Sequence, residues 1–182
     1  MKKRRKTISK LPAARSDKQD VQFIEEGTYF DGEKQVSKRV EVPEHINFEI
    51  EVKLKSDVQG DQIYSNGPNT PPMPFLVGPV SIYENLKGYT IGVKDRSDNP
   101  TYIEVGCRPL QWQTIRIKRL PEEIRVSLNG SDVGSVNGDF DFPSRVILGR
   151  GYLERRWRGW ISSFSVEEVN ADGRKQSVFI LP

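Results

Sequence analysis

The sequence predicts an all-β fold, an antiparallel sandwich of two sheets. Short segments with β-strand character recur about every 10 residues, and Gly, Pro, Asn or Asp turn pairs separate them. No segment has the apolar spacing of a helix longer than a turn or two, and no internal repeat is present. The 182 residues, 35% hydrophobic and 29% charged, suit one domain with a sizeable core and a well-solvated surface.

The first half of the chain predicts strands at residues 21–24, 28–30, 36–42, 46–55 and 61–65. The clearest alternation is in residues 46–55, where Phe48 and Ile50 belong to an apolar face, and Glu49 and Glu51 to a polar one. Residues 68–79 contain five prolines. Because proline cannot donate a hydrogen bond within a sheet, this segment is predicted to be a surface loop.

The second half predicts strands at residues 89–93, 101–105, 111–118, 124–128, 133–136, 145–149, 158–166 and 176–181. In residues 158–166 the alternation breaks locally, so that Ile161 lies on one face and Phe164 and Val166 still approach the core. A break of this kind indicates a local irregularity in the strand.

Four motifs together resemble one known family. Ile147-Leu148-Gly149 is followed by a loop and then by Trp157, Gly159 and Ile161, at the spacing of the closing strands of laminin G-like domains. The other three motifs, in the family's order, are Phe30-Asp31-Gly32, Trp112-Gln113-Thr114-Ile115-Arg116-Ile117 and Ile124-Arg125-Val126-Ser127-Leu128-Asn129-Gly130. The resemblance covers roughly residues 28–170. It implies an antiparallel jelly-roll β-sandwich of the concanavalin A-like lectin/glucanase superfamily.

Charge divides the chain into a basic N-terminal arm, residues 1–20, and the β-sandwich, residues 21–182. Residues 1–18 contain eight basic residues and one acidic residue, a net charge of +7, so the other 164 residues carry −4 of the total of +3. Such arms bind nucleic acid or an acidic protein surface. The residues predicted to make these contacts are Lys2, Lys3, Arg4, Arg5, Lys6, Lys10 and Arg15.

The chain start and the cysteine content bear on localisation. Residues 1–6 resemble the basic head of a signal peptide, but the mostly polar residues 7–20 follow instead of an apolar run, so no secretion signal is expected. The single cysteine, Cys107, allows no intrachain disulfide, which fits a reducing compartment. No segment is long and apolar enough to span a membrane. We therefore expect intracellular synthesis, with the protein free or part of a virion or similar particle.

An enzyme is not expected. The superfamily includes glycoside hydrolases with acids at alternate positions of one strand, and Glu49 and Glu51 occupy comparable positions roughly 6.5–7 Å apart. The third acid position is Lys53, however. A neighbouring cation favours the ionised carboxylate, which cannot donate the proton that a general acid must give. These residues are therefore predicted to be a solvated face of mixed charge.

No metal site or reactive nucleophile is predicted either. One histidine, His45, and one isolated cysteine cannot form a zinc site, and Cys107 is predicted to be a small apolar residue of the interior. The resemblance leaves calcium open, since some laminin G-like domains hold this ion through aspartates in rim loops. The candidates would be Asp95, Asp98, Asp139 and Asp141, but their spacing is not that of a dedicated calcium loop, so no cofactor is expected.

The loop before the strand at residues 158–166 contains the candidate ligand or partner surface. Trp157 is predicted to pack inward, whereas Trp160 occupies a position where most family members have a polar, outward residue. A flat aromatic ring at the surface can stack on a sugar or anchor a partner, and arginines can hold acidic groups. The predicted surface consists of Tyr152, Arg155, Arg156, Arg158 and Trp160. Alternatively, Trp160 packs under the basic arm or the terminal strand.

Three functions are compatible with these observations. The first is a non-enzymatic structural or interaction module of a larger assembly, such as a virion or phage particle, tethered by the basic arm. The second is a soluble carbohydrate-binding protein, and the third, disfavoured by Lys53, is a glycoside hydrolase. The expected partners are an acidic protein surface of the assembly or nucleic acid, and glycan in the second case.

Overall fold

The strands of the molecule form two antiparallel sheets. The computed structural model describes residues 27–32, 35–39, 47–57, 71–85, 87–141, 145–149 and 155–181. Within these residues the strands are β1 (Thr28–Asp31), β2 (Val36–Arg39), β3 (Asn47–Ser56), β4 (Phe75–Val77), β5 (Val80–Asn85), β6 (Gly88–Lys94), β7 (Pro100–Gly106), β8 (Gln113–Leu120), β9 (Glu123–Leu128), β10 (Ser131–Asn137), β11 (Arg145–Leu148), β12 (Arg158–Val169) and β13 (Lys175–Leu181).

The seven-stranded sheet has the order β1-β12-β3-β8-β9-β10, and β13 also pairs with β12. The six-stranded sheet has the order β2-β11-β4-β5-β6-β7. Neighbours such as β12 and β3 are far apart in sequence, so the sheets are built by long-range pairing as in a jelly roll. The all-β, antiparallel sandwich predicted from the sequence is confirmed.

The core lies between the two sheets and is formed by the inward positions of their strands. On β3 the alternation buries Phe48, Ile50, Val52 and Leu54 completely. On β12 the pairing register with β3 shifts between Ile161 and Ser163. This β-bulge lets Ile161, Phe164 and Val166 all remain buried, which confirms the predicted break in alternation.

Two predictions about the proline-rich region and its neighbour were wrong or incomplete. Residues 75–77, predicted to be part of a loop, form β4 and pair with both β11 and β5. Pro74 and Pro79 lie outside this three-residue strand, so β4 itself retains every backbone donor. Strand β5 was not predicted, because its inward positions include the carboxylate of Glu84. The predicted strands at 21–24 and 61–65 lie outside the described residues.

Glu49 also departs from the predicted pattern. It was assigned to a solvated face, but it is only 6% exposed. Its side chain does point away from the core, and cationic side chains cover it, as described below. Helices long and apolar enough to cross a membrane do not occur among the described residues.

Candidate functional site

The outer surface of the seven-stranded sheet has a row of aromatic and lysine side chains at one end. Trp160 on β12 is paired in register with Lys55 on β3, and Trp112 immediately precedes β8 on the other side of β3. The Lys55 ammonium lies 4.4 Å from the ring centroid of Trp160 and 5.3 Å from that of Trp112. We call Tyr29, Lys53, Lys55, Trp112 and Trp160 the aromatic–lysine face.

Two further contacts lie at the ends of this row. Tyr29 on β1 packs against Trp160 with a centroid separation of 4.8 Å and a tilt of 43°. Lys53 lies 5.8 Å from the centroid of Trp112. Trp160 therefore packs against β1 and Lys55, while β13 pairs with β12 only from Phe164 onward. The alternative in which the terminal strand covers Trp160 does not hold.

No acidic side chain that the structure describes neutralises the positive charges of the aromatic–lysine face. Among the described residues, no carboxylate lies within ion-pairing distance of Lys53 or Lys55, and both ammonium groups rest over indole rings. Cation–π contacts orient such groups without cancelling their charge. The face therefore combines two cations that have no acidic partner in the described part of the chain with partly exposed aromatic rings.

The predicted arginines are separated by the structure. Arg158 lies beside the aromatic–lysine face, but its guanidinium donates to Asp57 Oδ2 at 3.0 Å and to the Tyr29 hydroxyl at 3.4 Å. The same Tyr29 hydroxyl donates to Asp57 Oδ2 at 2.8 Å. Arg156 is half-buried, and its Cβ lies beside Gly32 together with the Arg158 side chain. Arg158 therefore already has an internal counter-ion.

The side chain of Arg155, a residue that precedes β12, packs against the other sheet. Its guanidinium is 5.2 Å from the ring centroid of Tyr83 on β5, and it donates to the Pro71 carbonyl at 3.4 Å. Arg155 and Trp160 therefore do not share one surface. Tyr152 and all predicted contact residues of the basic arm lie outside the described residues.

The acid pair of β3 lies at the opposite end of the seven-stranded sheet and is bound by cations. Arg116 contacts both acids, with its Nε 3.1 Å from Glu49 Oε1 and 2.8 Å from Glu51 Oε2. Lys175 lies 2.9 Å from Glu49 Oε1 and 3.2 Å from Glu167 Oε2. The network explains why Glu49 is covered, and it leaves neither acid in the isolated setting of a proton donor.

The four candidate calcium aspartates are engaged in their own turns. Asp95 Oδ1 accepts hydrogen bonds at 2.9 Å from the Ser97 and Asn99 amides, and the Asn99 amide is the main reason why the pKa of Asp95 is lowered. Asp98 pairs with Lys94. Arg96 Nε lies between the other two, 3.5 Å from Asp139 and 3.3 Å from Asp141. Among the described residues, no three His, Cys, Asp or Glu side chains are grouped as metal ligands would be.

A buried polar cluster connects the two sheets in the interior. Trp157, fully buried as predicted, donates from its indole nitrogen to Glu84 Oε2 at 2.8 Å. Ser56 Oγ donates to the same oxygen at 2.6 Å and lies 3.2 Å from the Tyr89 hydroxyl. Burial raises the pKa of Glu84 to about 7, although these hydrogen bonds act in the opposite direction.

Cys107 lies close enough to this cluster to be affected by it. Its side chain is half-buried, and burial, followed by the charge of Glu84, raises its pKa to about 11. The thiol is therefore protonated at neutral pH and is a poor nucleophile.

Sequence reasoning missed most of the aromatic–lysine face. Lys53 and Lys55 were recognisable as outward residues of β3, and Trp112 as the residue that opens β8. The register β12–β3–β8, which brings Trp160 and Trp112 to either side of Lys55, has no local signal, because these strands are distant in sequence.

Comparisons with known proteins bear on the fold. No family model matches the sequence, and the search of curated proteins gives no match. Among solved structures, domains LG4-5 of the mouse laminin α1 chain have a TM-score of 0.59 at 10% identity, covering 84% of this chain and 42% of that one. A Bacteroides ovatus protein to which carbohydrate binding has been attributed has a TM-score of 0.59 at 10% identity, with 86% and 50% covered. The chain has a concanavalin A-like jelly-roll fold.

A third matched structure is also covered only in part. The receptor-binding domain of botulinum neurotoxin type G has a TM-score of 0.52 at 12% identity, covering 80% of this chain and 44% of that one. The jelly-roll chain thus spans half or less of each of these three matched chains. At such identities the likeness establishes the architecture, and the resemblance to laminin G-like domains is confirmed at that level.

Proposed function

We propose that this jelly-roll chain is a non-enzymatic interaction module of a larger assembly, such as a virus or phage particle. In this proposal the aromatic–lysine face binds an acidic protein surface of the assembly, and the basic arm tethers the module to an acidic partner or to nucleic acid. The observation that supports it most directly is the pair of lysines, Lys53 over one indole ring and Lys55 between two, without a carboxylate partner among the described residues.

Charge and apolar contact area both favour an acidic partner at the aromatic–lysine face. An acidic side chain that approaches Lys55 gains an ion pair without breaking one with any described residue, whereas at Arg158 it would have to displace Asp57. Trp112 and Trp160 supply apolar contact area beside these charges, and aromatic anchors of this kind dominate binding energy in protein interfaces. The non-enzymatic assignment is supported by Glu49 and Glu51, both of which are ion-paired with Arg116.

The test uses the indole N–H signals of the three tryptophans in a ¹H–¹⁵N spectrum of the full chain, titrated with poly-L-glutamate. We expect the signals of Trp112 and Trp160 to shift. The signal of Trp157 is an internal control and should not shift, because its N–H is donated to Glu84 in the interior. Trp112→Phe and Trp160→Phe assign the signals.

Two charge-reversal variants then distinguish polymer binding at the aromatic–lysine face from polymer binding by the basic arm, which also attracts poly-L-glutamate. Lys55→Glu should abolish the response of the two indoles, and Lys118→Glu, an exposed position at the other end of the same sheet, should preserve it. Bound polymer that leaves both indole signals unchanged, or an unchanged response in Lys55→Glu, would contradict the proposal.

Carbohydrate binding is the second candidate function, and a separate feature favours it. An aromatic-lined cavity of about 240 Å³ opens on the outer side of the six-stranded sheet, where Tyr83, Tyr102 and Arg155 contribute to its wall. A larger depression of about 890 Å³ is lined by residues 120–123 and 137–139 in two turns, and none of these described lining residues is aromatic.

A further inference from the structure

The cavity on the six-stranded sheet is built from three adjacent strands. Tyr83 on β5, Thr90 on β6 and Glu104 on β7 are paired in register and form one row across the sheet. Tyr102, two residues before Glu104, stands on the same outer face and is 57% exposed. Tyr83, Asn85, Thr90, Tyr102 and Arg155 line a space about large enough for one sugar ring. Glu104 lies beside this space, hydrogen-bonded to Asn85 and Thr90.

The aromatic floor of the cavity depends on a glycine. Gly92 on β6 is paired with Tyr102 and lies diagonal to Tyr83. A Cβ atom at Gly92 would lie 3.0 Å from Tyr83 Cε2 and 3.3 Å from Tyr102 Cε1. The missing side chain therefore lets both tyrosine rings approach the β6 backbone, and the rings themselves supply the apolar surface of the cavity.

The polar side chains at the edge of the cavity, which we call the polar rim, are hydrogen-bonded to one another. Asn85 Nδ2 donates to Thr90 Oγ1 at 2.8 Å and to Glu104 Oε2 at 3.2 Å, and Thr90 Oγ1 donates to both Glu104 oxygens at 3.1–3.2 Å. Because a carboxylate has about four acceptor positions, Glu104 retains acceptor capacity. Arg155 is held over Tyr83 and bonded to Pro71, and most of its five N–H groups are not used by that bond.

We propose that this cavity binds one neutral pyranose residue, with its ring on Tyr102, a hydroxyl group on the Glu104 carboxylate and a ring or hydroxyl oxygen on Arg155. The sugar's C–H face matches an aromatic ring, and its hydroxyl groups match the remaining acceptor and donor positions. The Glu104 charge disfavours an acidic sugar. A cationic ligand would compete with Arg155, which already occupies the face of Tyr83. This proposal gives the carbohydrate-binding candidate a specific site and is independent of the acidic-partner face.

The test titrates the full-length ¹⁵N-labelled protein with methyl β-D-glucopyranoside, methyl β-D-galactopyranoside and methyl α-D-mannopyranoside. We expect at least one of them to shift the backbone amide signals of Thr90, Gly92 and Tyr102 saturably. The dissociation constant should be on the order of 1 mM, since a ligand of this size has few contacting atoms. Tyr102→Ala should weaken binding about tenfold, and Tyr102→Phe, which keeps the ring, should bind as the natural chain does.

Glu104→Gln provides the second, independent variant. It preserves the shape of the rim but replaces a charged acceptor, so binding should weaken about tenfold. Sodium glucuronate serves as the acidic probe and should bind more weakly than the neutral sugars. The proposal is overturned if none of the three glycosides shifts these amides, if Tyr102→Ala binds unchanged, or if glucuronate binds best. Shifts confined to the indoles of Trp112 and Trp160 would also overturn it, because they would place the sugar on the other sheet.

Discussion

Replacing Glu84 by glutamine should remove one specific part of the pH dependence of stability. The Glu84 carboxyl group is fully buried between the two sheets, and its pKa is raised from 4.5 to about 7. Between these two pH values the folded protein holds the proton and the unfolded chain does not. The stability that the neutral acid contributes is therefore complete below pH 4.5 and is lost as the pH rises through about 7.

The size of the effect follows from the pKa difference. At about 1.4 kcal/mol per pH unit, raising the pH through this interval should lower the free energy of unfolding by about 3 kcal/mol. The two neighbouring groups do not interfere in this interval: the pKa of Cys107 is raised to about 11 and that of Tyr89 well above its ordinary value of 10.0.

The assay is urea denaturation of the natural chain and of Glu84→Gln at a series of pH values from acid to neutral. The difference between the two free energies should change by about 3 kcal/mol across the interval, because the other titrating groups cancel. The change of this free-energy difference with pH is a better readout than the absolute stability of Glu84→Gln. Oε1 of Glu84 has no hydrogen-bond partner among the described residues, so an amide nitrogen placed there would also lack one.

Two controls make the result specific to this site. Glu122→Gln, an exposed turn position, should leave the pH dependence unchanged. The indole N–H signal of Trp157, which is donated to Glu84, should titrate with a midpoint near pH 7. A constant free-energy difference between the natural chain and Glu84→Gln at all pH values would refute the reasoning, since Glu84 would then not be a neutral acid in the folded protein.

Three further predictions follow from the core, the arm and the acid pair. Phe48→Ala should lower the free energy of unfolding by about 3–5 kcal/mol in urea denaturation. Leu110→Ala, at a side chain that is 49% exposed, should change it by less than about 0.5 kcal/mol. Similar losses in both variants would mean that the core is misassigned. Deleting residues 1–18, which carry +7, should leave the melting temperature nearly unchanged but abolish incorporation into the assembly, and normal incorporation would rule out a tethering role. A reducing-sugar assay with β-glucans should show no turnover; turnover that Glu49→Gln or Glu51→Gln removes would contradict the non-enzymatic assignment.

The fold could be predicted from the sequence because its signals are local. The alternation of residues 46–55, the turn pairs and the broken alternation after Ile161 each act within a few residues, and the described parts of all three agree with the structure. Strand β4 could not be predicted in this way. Its three residues are flanked by prolines, and only pairing with β5 and β11 on either side makes them a strand.

The candidate sites could be predicted only in part, because they depend on register between distant strands. Trp160 was identified as an unusual outward aromatic, and the structure does place it on an outer face. Its neighbours Lys55 and Trp112 come from strands that are more than 40 positions away in the chain, a separation over which no sequence pattern operates. Tyr83 and Tyr102 likewise meet only because β6 contributes a glycine between them.

Strand parity explains why one short segment contributes side chains to both the interior and the outer face of the seven-stranded sheet. Trp157 points into the interior and bonds to Glu84, whereas Arg158 and Trp160 point outward on the seven-stranded sheet. Gly159 makes this arrangement possible, since a Cβ there would lie 2.4 Å from the Lys55 carbonyl oxygen and 2.5 Å from Trp157 Cζ2. The Trp157 ring thus fills the space that a side chain at position 159 would need. A register slip of one residue would bury the outward residues and expose Trp157. The order Trp157-Arg158-Gly159-Trp160 therefore places the buried polar cluster and the aromatic–lysine face on opposite sides of the same segment.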